Sequence, residues 1–170
     1  VSCHLRARAC PWTPAYSLLV SGSPGSWQTT VVRDGEARAA PGTLCYDCAS
    51  IGVPSTERMI AEFGTGEAWQ VEMTRRWVAR LAENADGARV AILDGQVRPS
   101  IVQTAVEEVG IAQTAILLID CSAAVRDARL RGRGQPELAT SEMARWAAYL
   151  RGRADARGVP IPDTTDAAVA

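Results

Sequence analysis

Two aspartates stand directly after apolar runs of the kind that form buried strands. Asp47 follows residues 43–46, and Asp94 follows the run RVAIL at residues 89–93. Because open parallel sheets bind ligands beyond the carboxyl ends of their strands, these positions predict a site with two carboxylates. Such a pair can accept a proton from a substrate hydroxyl or carry out general acid–base chemistry. The alternative is that each aspartate only caps the end of its strand.

A glycine-rich segment, GSPGSWQTT at residues 22–30, follows the first apolar run and precedes a predicted helix. A loop between a strand and a helix binds phosphate when it reads G-x-x-x-x-G-K-[ST]. Gly22 and Thr29 stand at the spacing that this motif requires. Such a loop aims backbone N–H groups and a helix N-terminus at phosphate oxygens. The predicted ligand-binding residues are Gly22, Ser23, Gly25, Ser26, Trp27, Gln28, Thr29 and Thr30.

Over about residues 16–166 the chain resembles the P-loop kinases of the nucleoside-, shikimate- and gluconate-kinase type. The segment SGSPGS…TT carries the resemblance, and LDGQ at residues 93–96 looks like the acidic end of a Walker B strand. The resemblance implies a three-layer α/β fold whose central parallel sheet has about five strands, in the order 2-3-1-4-5, with helices on both faces. We expect one such domain at residues 15–170, preceded by an irregular leader at residues 1–14.

The resemblance also implies roles for individual residues. Asp94 would orient Mg²⁺ or its water, Thr29 would contact the metal, and Asp47 would accept the proton of the substrate hydroxyl. ATP or GTP would be the cofactor, bound weakly, and the substrate would be a small hydroxylated or anionic molecule.

Arginines follow the predicted strand at residues 114–119, where such kinases carry a phosphate-binding lid. The arginines implied for the lid are Arg126, Arg129, Arg131 and Arg133. Gln96, Arg98 and Arg58 are further candidates for contacts with the substrate, and Arg98 would suit an anionic one. The alternative for each arginine is exposed charge or a structural ion pair.

Two residues of the loop depart from the kinase motif, because Trp27 replaces its second glycine and Gln28 replaces its lysine. Glutamine donates a hydrogen bond but has no charge to follow the migrating phosphoryl group. The loss of such a charge costs on the order of 100-fold to 1,000-fold in rate. An indole at position 27 must turn away from the loop or fill part of the site. We therefore expect little or no ordinary ATP turnover.

Three interpretations of this degenerate loop stay open. We favour an enzyme with a repurposed cleft, and the others are a non-catalytic pseudokinase that binds a ligand or partner and an inefficient phosphotransferase whose lid arginines replace the lysine. A cavity that holds Trp27, Asp47 and Asp94 would favour the first. A cleft plugged by Trp27 would favour the second.

Apolar runs and helical periodicity alternate along the chain. Strands are predicted at residues 16–21, 43–47, 89–93, 114–119 and 159–161. Helices are predicted at residues 29–39, 55–63, 67–84, 99–109, 123–130 and 140–157. This alternation independently predicts a parallel sheet with helices on both faces.

The bulk composition is that of a globular chain, with 170 residues, 47% hydrophobic residues and a net charge of −1. The balanced charge gives no support to nucleic-acid binding, and no apolar run reaches the roughly 18 residues of a membrane span. All 18 basic residues are arginine, so no lysine elsewhere replaces the one missing from the loop. We expect a cytoplasmic setting with free thiols, and Cys45 and Cys48 lack the second pair that a zinc site needs.

Overall fold

The structure is a computed structural model that describes residues 16–84 and 86–167, so the predicted leader at residues 1–14 lies outside the described residues. Those residues form four strands and six helices: β1 (Tyr16–Gly22), α1 (Gln28–Arg38), β2 (Thr43–Asp47), α2 (Thr56–Phe63), α3 (Gly66–Glu83), β3 (Val90–Asp94), α4 (Pro99–Val109), β4 (Thr114–Ile119), α5 (Ala123–Gly132) and α6 (Ser141–Asp155). Short 3₁₀ helices occupy Cys48–Ile51 and Pro136–Leu138. No helix among the described residues is both long and apolar enough to cross a membrane.

The sheet is entirely parallel, and its strand order is β2-β3-β1-β4. The sheet has four strands instead of about five. It therefore matches the first four positions of the predicted order 2-3-1-4-5, and the fifth strand is missing. The segment predicted as a final strand at residues 159–161 forms no strand. Leu118 and Asp120 donate to the carbonyls of Pro160 and Pro162, and beyond them Asp120 forms a single parallel bridge with Asp163. Proline has no N–H to return such a bond, so the two prolines prevent a continuous ladder.

Side chains of successive strand residues point to opposite faces of the sheet, and both faces are buried. Leu19 and Leu93 pack with Trp77 of α3 and with α4 residues, whereas Val20 packs with Val32 of α1 on the opposite face. Leu118 packs on α6 through Leu150 and Ala154. The predicted arrangement of a parallel sheet between two layers of helices is therefore confirmed.

The register of the central strands decides where the candidate residues meet. In the pairing of β2 with β3, Asp47 is the partner of Asp94, and β1 ends beside them at Gly22. The carboxyl ends of all three strands therefore lie at one edge of the sheet, where the loop after β1 leads to α1.

Candidate active site

The two aspartates predicted to act as a pair lie side by side in different environments. They occupy the ends of neighbouring strands, which run about 4.8 Å apart. Asp94 is 6% exposed, whereas Asp47 is exposed and its carboxylate accepts a hydrogen bond of 2.8 Å from the N–H of Ala49, at the start of a 3₁₀ helix. Burial raises the pKa of Asp94; hydrogen bonds from Thr29 and Gln28 oppose the rise, and the Asp47 carboxylate adds to it.

Both carboxylates line a cavity of about 500 Å³ at this edge of the sheet. Three tryptophans contribute to its wall, two of them from α3. The lining residues include Gln28, Thr29, Asp47, Cys48, Trp69, Gln70, Met73, Trp77, Asp94, Gln96 and Trp146. Trp27 is absent from this wall, so the indole does not plug the cavity, and the cavity holds only the two aspartates of the three residues expected to share it.

The loop from Gly22 to Gln28 keeps the backbone of an anion-binding turn. Gly25 has φ 82° and Trp27 has φ 66°, the left-handed conformation that strains a residue with a side chain. Among the described residues, no acceptor pairs with the N–H groups of Gly25, Trp27, Gln28 or Thr29. A Cβ at Gly22 would lie 2.5 Å from the Oγ of Ser26, so the turn has room only for glycine there. The Ser26 hydroxyl itself is buried with no partner in the described structure.

Gln28 is directed away from the loop and towards the acid pair. Its side chain is buried, and its Nε2 donates to the carbonyl of Val20 at 2.8 Å and to the Oδ1 of Asp94. The amide therefore fixes one oxygen of Asp94 instead of reaching an anion in the loop. Thr29, in contrast, is exposed and lines both this cavity and a smaller one over the loop, and Thr30 is half-buried.

Trp27 is half-buried, lines the smaller cavity over the loop and stacks with an arginine that the resemblance assigns to the lid. The guanidinium carbon of Arg129 lies 3.5 Å from the centroid of the Trp27 ring, and its Nη1 donates to the Oγ1 of Thr164 at 3.0 Å. Thr164 in turn donates to the carbonyl of Ser26 at 3.0 Å. Arg129 is therefore held against the loop. Arg133 is exposed and lines the smaller cavity of about 180 Å³ over the loop, and Arg131 is exposed at the end of α5.

Arg126 shapes the loop from behind, a role that the sequence interpretation missed. It is 5% exposed; its Nε donates to the Oγ of Ser23 at 3.0 Å and its Nη2 to the Oδ1 of Asp120 at 2.7 Å. Arg151 donates to the other oxygen of Asp120 at 2.7 Å. The signal in the sequence is Asp120 itself, an acid at the end of the apolar run TAILLI, which needs partners when buried.

The remaining candidates differ in their distance from the acid pair. Gln96 lines the cavity. Arg98 donates from Nη1 to the Oε1 of Gln70 at 2.7 Å and does not line the cavity. Arg58 is also absent from the wall, because it is exposed on α2 and forms an ion pair of 2.6 Å with Glu62.

The two cysteines of the C-x-x-C spacing are free thiols next to the acid pair. Burial raises the pKa of Cys48 to about 12, and the Asp47 and Asp94 carboxylates add to the rise. Burial, followed by Glu36, raises the pKa of Cys45 to about 11. Among the described residues no cluster of three or more His, Cys, Asp or Glu side chains is arranged to hold a metal ion.

The loop fits the phosphate groups of a nucleotide only in part. Its N–H groups without acceptors and the buried Ser26 hydroxyl fit an anion. Its side chains do not provide the charge that phosphoryl transfer needs, because Gln28 is neutral and its amide is engaged by Asp94. Thr29 and Asp94 are the residues that would hold Mg²⁺.

Comparisons with known proteins identify the fold. No protein-family model matches the sequence, and no curated protein matches it. A deoxyadenosine kinase from M. mycoides, in a structure with the products dCMP and a flexible dCDP bound, is similar with a TM-score of 0.54 and 13% identity over 86% of this chain and 88% of that one. A gluconokinase from Sinorhizobium meliloti 1021 is similar with a TM-score of 0.53 and 17% identity over 89% of this chain and 83% of that one. Both are P-loop kinases of small molecules, and this chain has their fold.

Proposed function

We propose that the chain is an enzyme that acts on a small hydroxylated molecule in the cavity at Asp47 and Asp94, with little or no ordinary ATP turnover. The observation that carries this proposal is the open cavity of about 500 Å³, a size typical of small-molecule sites, with both carboxylates in its wall. Within the described part of the chain no basic side chain lines the wall, which favours a hydroxylated substrate over an anionic one.

Asp94 is the residue best placed to accept a proton. Burial raises the pKa of its carboxyl above the ordinary value, which brings the group closer to that of an effective base near neutral pH. Gln28 fixes Oδ1, and in this proposal Oδ2 takes the proton from a substrate hydroxyl. Asp47 then orients a second polar group of the substrate, and the amides of Gln70 and Gln96 supply further hydrogen-bonding groups in the same wall.

In this proposal the loop binds the phosphates of a ligand but contributes little to the transfer of a phosphoryl group. Its backbone N–H groups would hold the phosphates of a nucleotide, a ligand that supplies a transferable phosphoryl group. The neutral amide at position 28 leaves the developing charge without a cation, which accounts for slow phosphoryl transfer in this proposal.

The test measures binding and conversion in one series. Calorimetry with ATP and GTP in the presence of Mg²⁺ gives nucleotide affinity, and mass spectrometry follows the conversion of a panel of small alcohols, amino alcohols and sugars with and without nucleotide. We expect conversion by wild type that is lost in Asp94→Asn, and weak nucleotide binding. A wild-type protein that binds and converts none of the panel would contradict the proposal, and micromolar nucleotide binding with phosphorylated products would replace it by an active phosphotransferase.

A non-catalytic pseudokinase is the second candidate. The contact between Gln28 and Asp94 and the stack of Arg129 on Trp27 favour it, because they occupy groups that a phosphotransferase would direct at its ligands. Binding of a panel member without any conversion would support this candidate.

A further inference from the structure

We infer that the ligand of the 500 Å³ cavity is an organic ammonium ion that also carries a hydroxyl. The inference rests on the proposed function for the location of the site, but it concerns the charge of the ligand and not the reaction. It depends on the charge of the cavity wall and on its tryptophans.

The cavity wall, as far as the described residues form it, is acidic. Asp47 and Asp94 line it, and none of its lining residues within 16–84 and 86–167 is arginine, lysine or histidine. The chain has no lysine at all. The thiol of Cys48, in the same wall, has its pKa raised by burial and further by both carboxylates, which agrees with a negative potential there. A cation entering the cavity would be attracted by these two carboxylates, because no described side chain of the wall neutralises them.

The arginines near this wall do not line the cavity. The guanidinium of Arg98 bonds Gln70 and lies 5.0 Å from the ring centroid of Trp146, and Arg98 lines a second, neighbouring cavity. Arg33 is exposed on α1 and has the smallest of the influences on the pKa of Asp94. The two carboxylates therefore keep their negative charge available to a ligand.

The tryptophans of the described residues provide the second argument. Arginine guanidinium groups lie over Trp27, Trp77 and Trp146, at 3.5 to 5.2 Å from the ring centroids. Trp69 is half-buried in the cavity wall, and within the described part of the chain no arginine lies over its ring. A ring of this kind beside two carboxylates is the combination that binds an ammonium group, through cation–π attraction and a counter-charge.

The hydroxyl follows from the environment of Asp94. Gln28 and Thr29 already donate to this buried carboxyl, so its remaining lone pairs suit one small donor, and a neutral hydroxyl costs less to bury than a second ammonium. The exposed Asp47 is the natural partner of the cation, because its register places it beside Asp94 at the mouth of the site.

The test compares ligands that differ only in charge. Calorimetry is done with tyramine against 4-propylphenol, and with choline against 3,3-dimethylbutan-1-ol, on wild type and on Asp47→Asn, whose Oδ1 can still accept from Ala49. Glu107→Gln removes the same charge from an exposed position of α4, a helix that contributes nothing to the cavity wall. We expect wild type to prefer each cation by about tenfold, Asp47→Asn to remove most of that preference, and Glu107→Gln to retain it.

Each result decides the matter. Equal affinity for the charged and neutral members of both pairs would overturn the inference and leave the proposed function standing, since the conversion screen does not depend on the charge of its substrates. A preference that survives Asp47→Asn would overturn it as well. Failure of all four compounds to bind at millimolar concentration would also overturn it, and conversion in the panel screen would then decide the proposed function separately.

Discussion

The loop and the acid pair occupy the same edge of one sheet, yet their polar groups are used in different ways. Around the loop the side chains bind each other, as Arg126 holds Ser23 and Arg129 stacks on Trp27. Around the acid pair the cavity is open, and Asp47 and Trp69 line it with groups that a ligand can reach. The backbone donors of the loop survive, because they do not depend on which side chains surround them.

The two regions therefore differ in which of their groups a ligand can reach. Gln28 gives the loop a neutral side chain whose amide fixes Asp94. Under the proposed function, this one residue weakens the phosphate half of the cleft and organises the acid half. The predictions below test this division, beginning with the largest expected effect.

The loop depends most on the buried arginine behind it. Arg126→Ala leaves Asp120 buried with only Arg151 as a charged partner, and we expect a loss of about 3–5 kcal/mol in the free energy of unfolding. Urea denaturation measures the loss. Arg58→Ala, at an exposed arginine that also forms an ion pair, is the matched control and should leave the midpoint unchanged. Equal effects of the two variants would show that the buried contacts do not hold the loop.

The acid half depends on Asp94. For any substrate that the screen identifies, we expect Asp94→Asn to reduce turnover by a factor on the order of 100, because the proton acceptor is lost. The fold should tolerate the change, since the amide oxygen of asparagine still accepts from Gln28.

The pH dependence of stability gives the same variant a second readout. The folded chain holds the Asp94 proton more tightly than the unfolded chain, because burial raises the pKa of this carboxyl in the folded state. The free energy of unfolding should therefore fall as the pH rises from the ordinary carboxyl pKa through the raised one. Asp94→Asn should lack this contribution, as measured by thermal unfolding from acid to neutral pH. Identical pH profiles for the two proteins would contradict the raised pKa.

The loop half can be changed back towards the kinase motif. Trp27→Gly relieves the backbone strain of a tryptophan in the left-handed conformation, and Gln28→Lys places a cation in the loop. We expect the double variant to bind ATP about tenfold more tightly, as measured by calorimetry. Trp27→Gly alone is the control for the steric part of this gain. A double variant with no more affinity than wild type would show that the nucleotide half has changed beyond these two residues.

The last prediction concerns the thiols beside the acid pair and leaves both halves of the cleft unchanged. With a pKa of about 11, Cys45 is a thiolate in roughly one molecule in 1,000 at pH 8, and Cys48, at about 12, in fewer. Alkylation by iodoacetamide should therefore be on the order of 100-fold slower in the folded protein than in urea, as read from the mass of the peptide that contains both cysteines. Rapid labelling, or a disulfide between them, would indicate a redox pair instead.

Local sequence determined most of the fold. The apolar runs predict β1 to β4, because a buried parallel strand needs a short hydrophobic stretch that ends at a polar residue, and β2, β4 and α4 begin and end at the predicted residues. The predicted final strand does not form, because Pro160 and Pro162 have carbonyl groups but no N–H groups. The segment therefore accepts hydrogen bonds at the end of β4 without forming a continuous ladder.

The sequence also determined that Asp47 and Asp94 share one edge of the sheet and that the loop lacks its lysine charge. Only the tertiary structure decided how the polar side chains are paired. Gln28 binds Asp94 across 66 positions of the chain, and Arg126 binds Ser23 across 103. Such contacts join side chains far apart in sequence, and their partners are chosen by strand register and burial, which local spacing does not contain. For this reason Arg126, one of the arginines that the sequence suggested as a lid, instead hydrogen-bonds Ser23 of the loop.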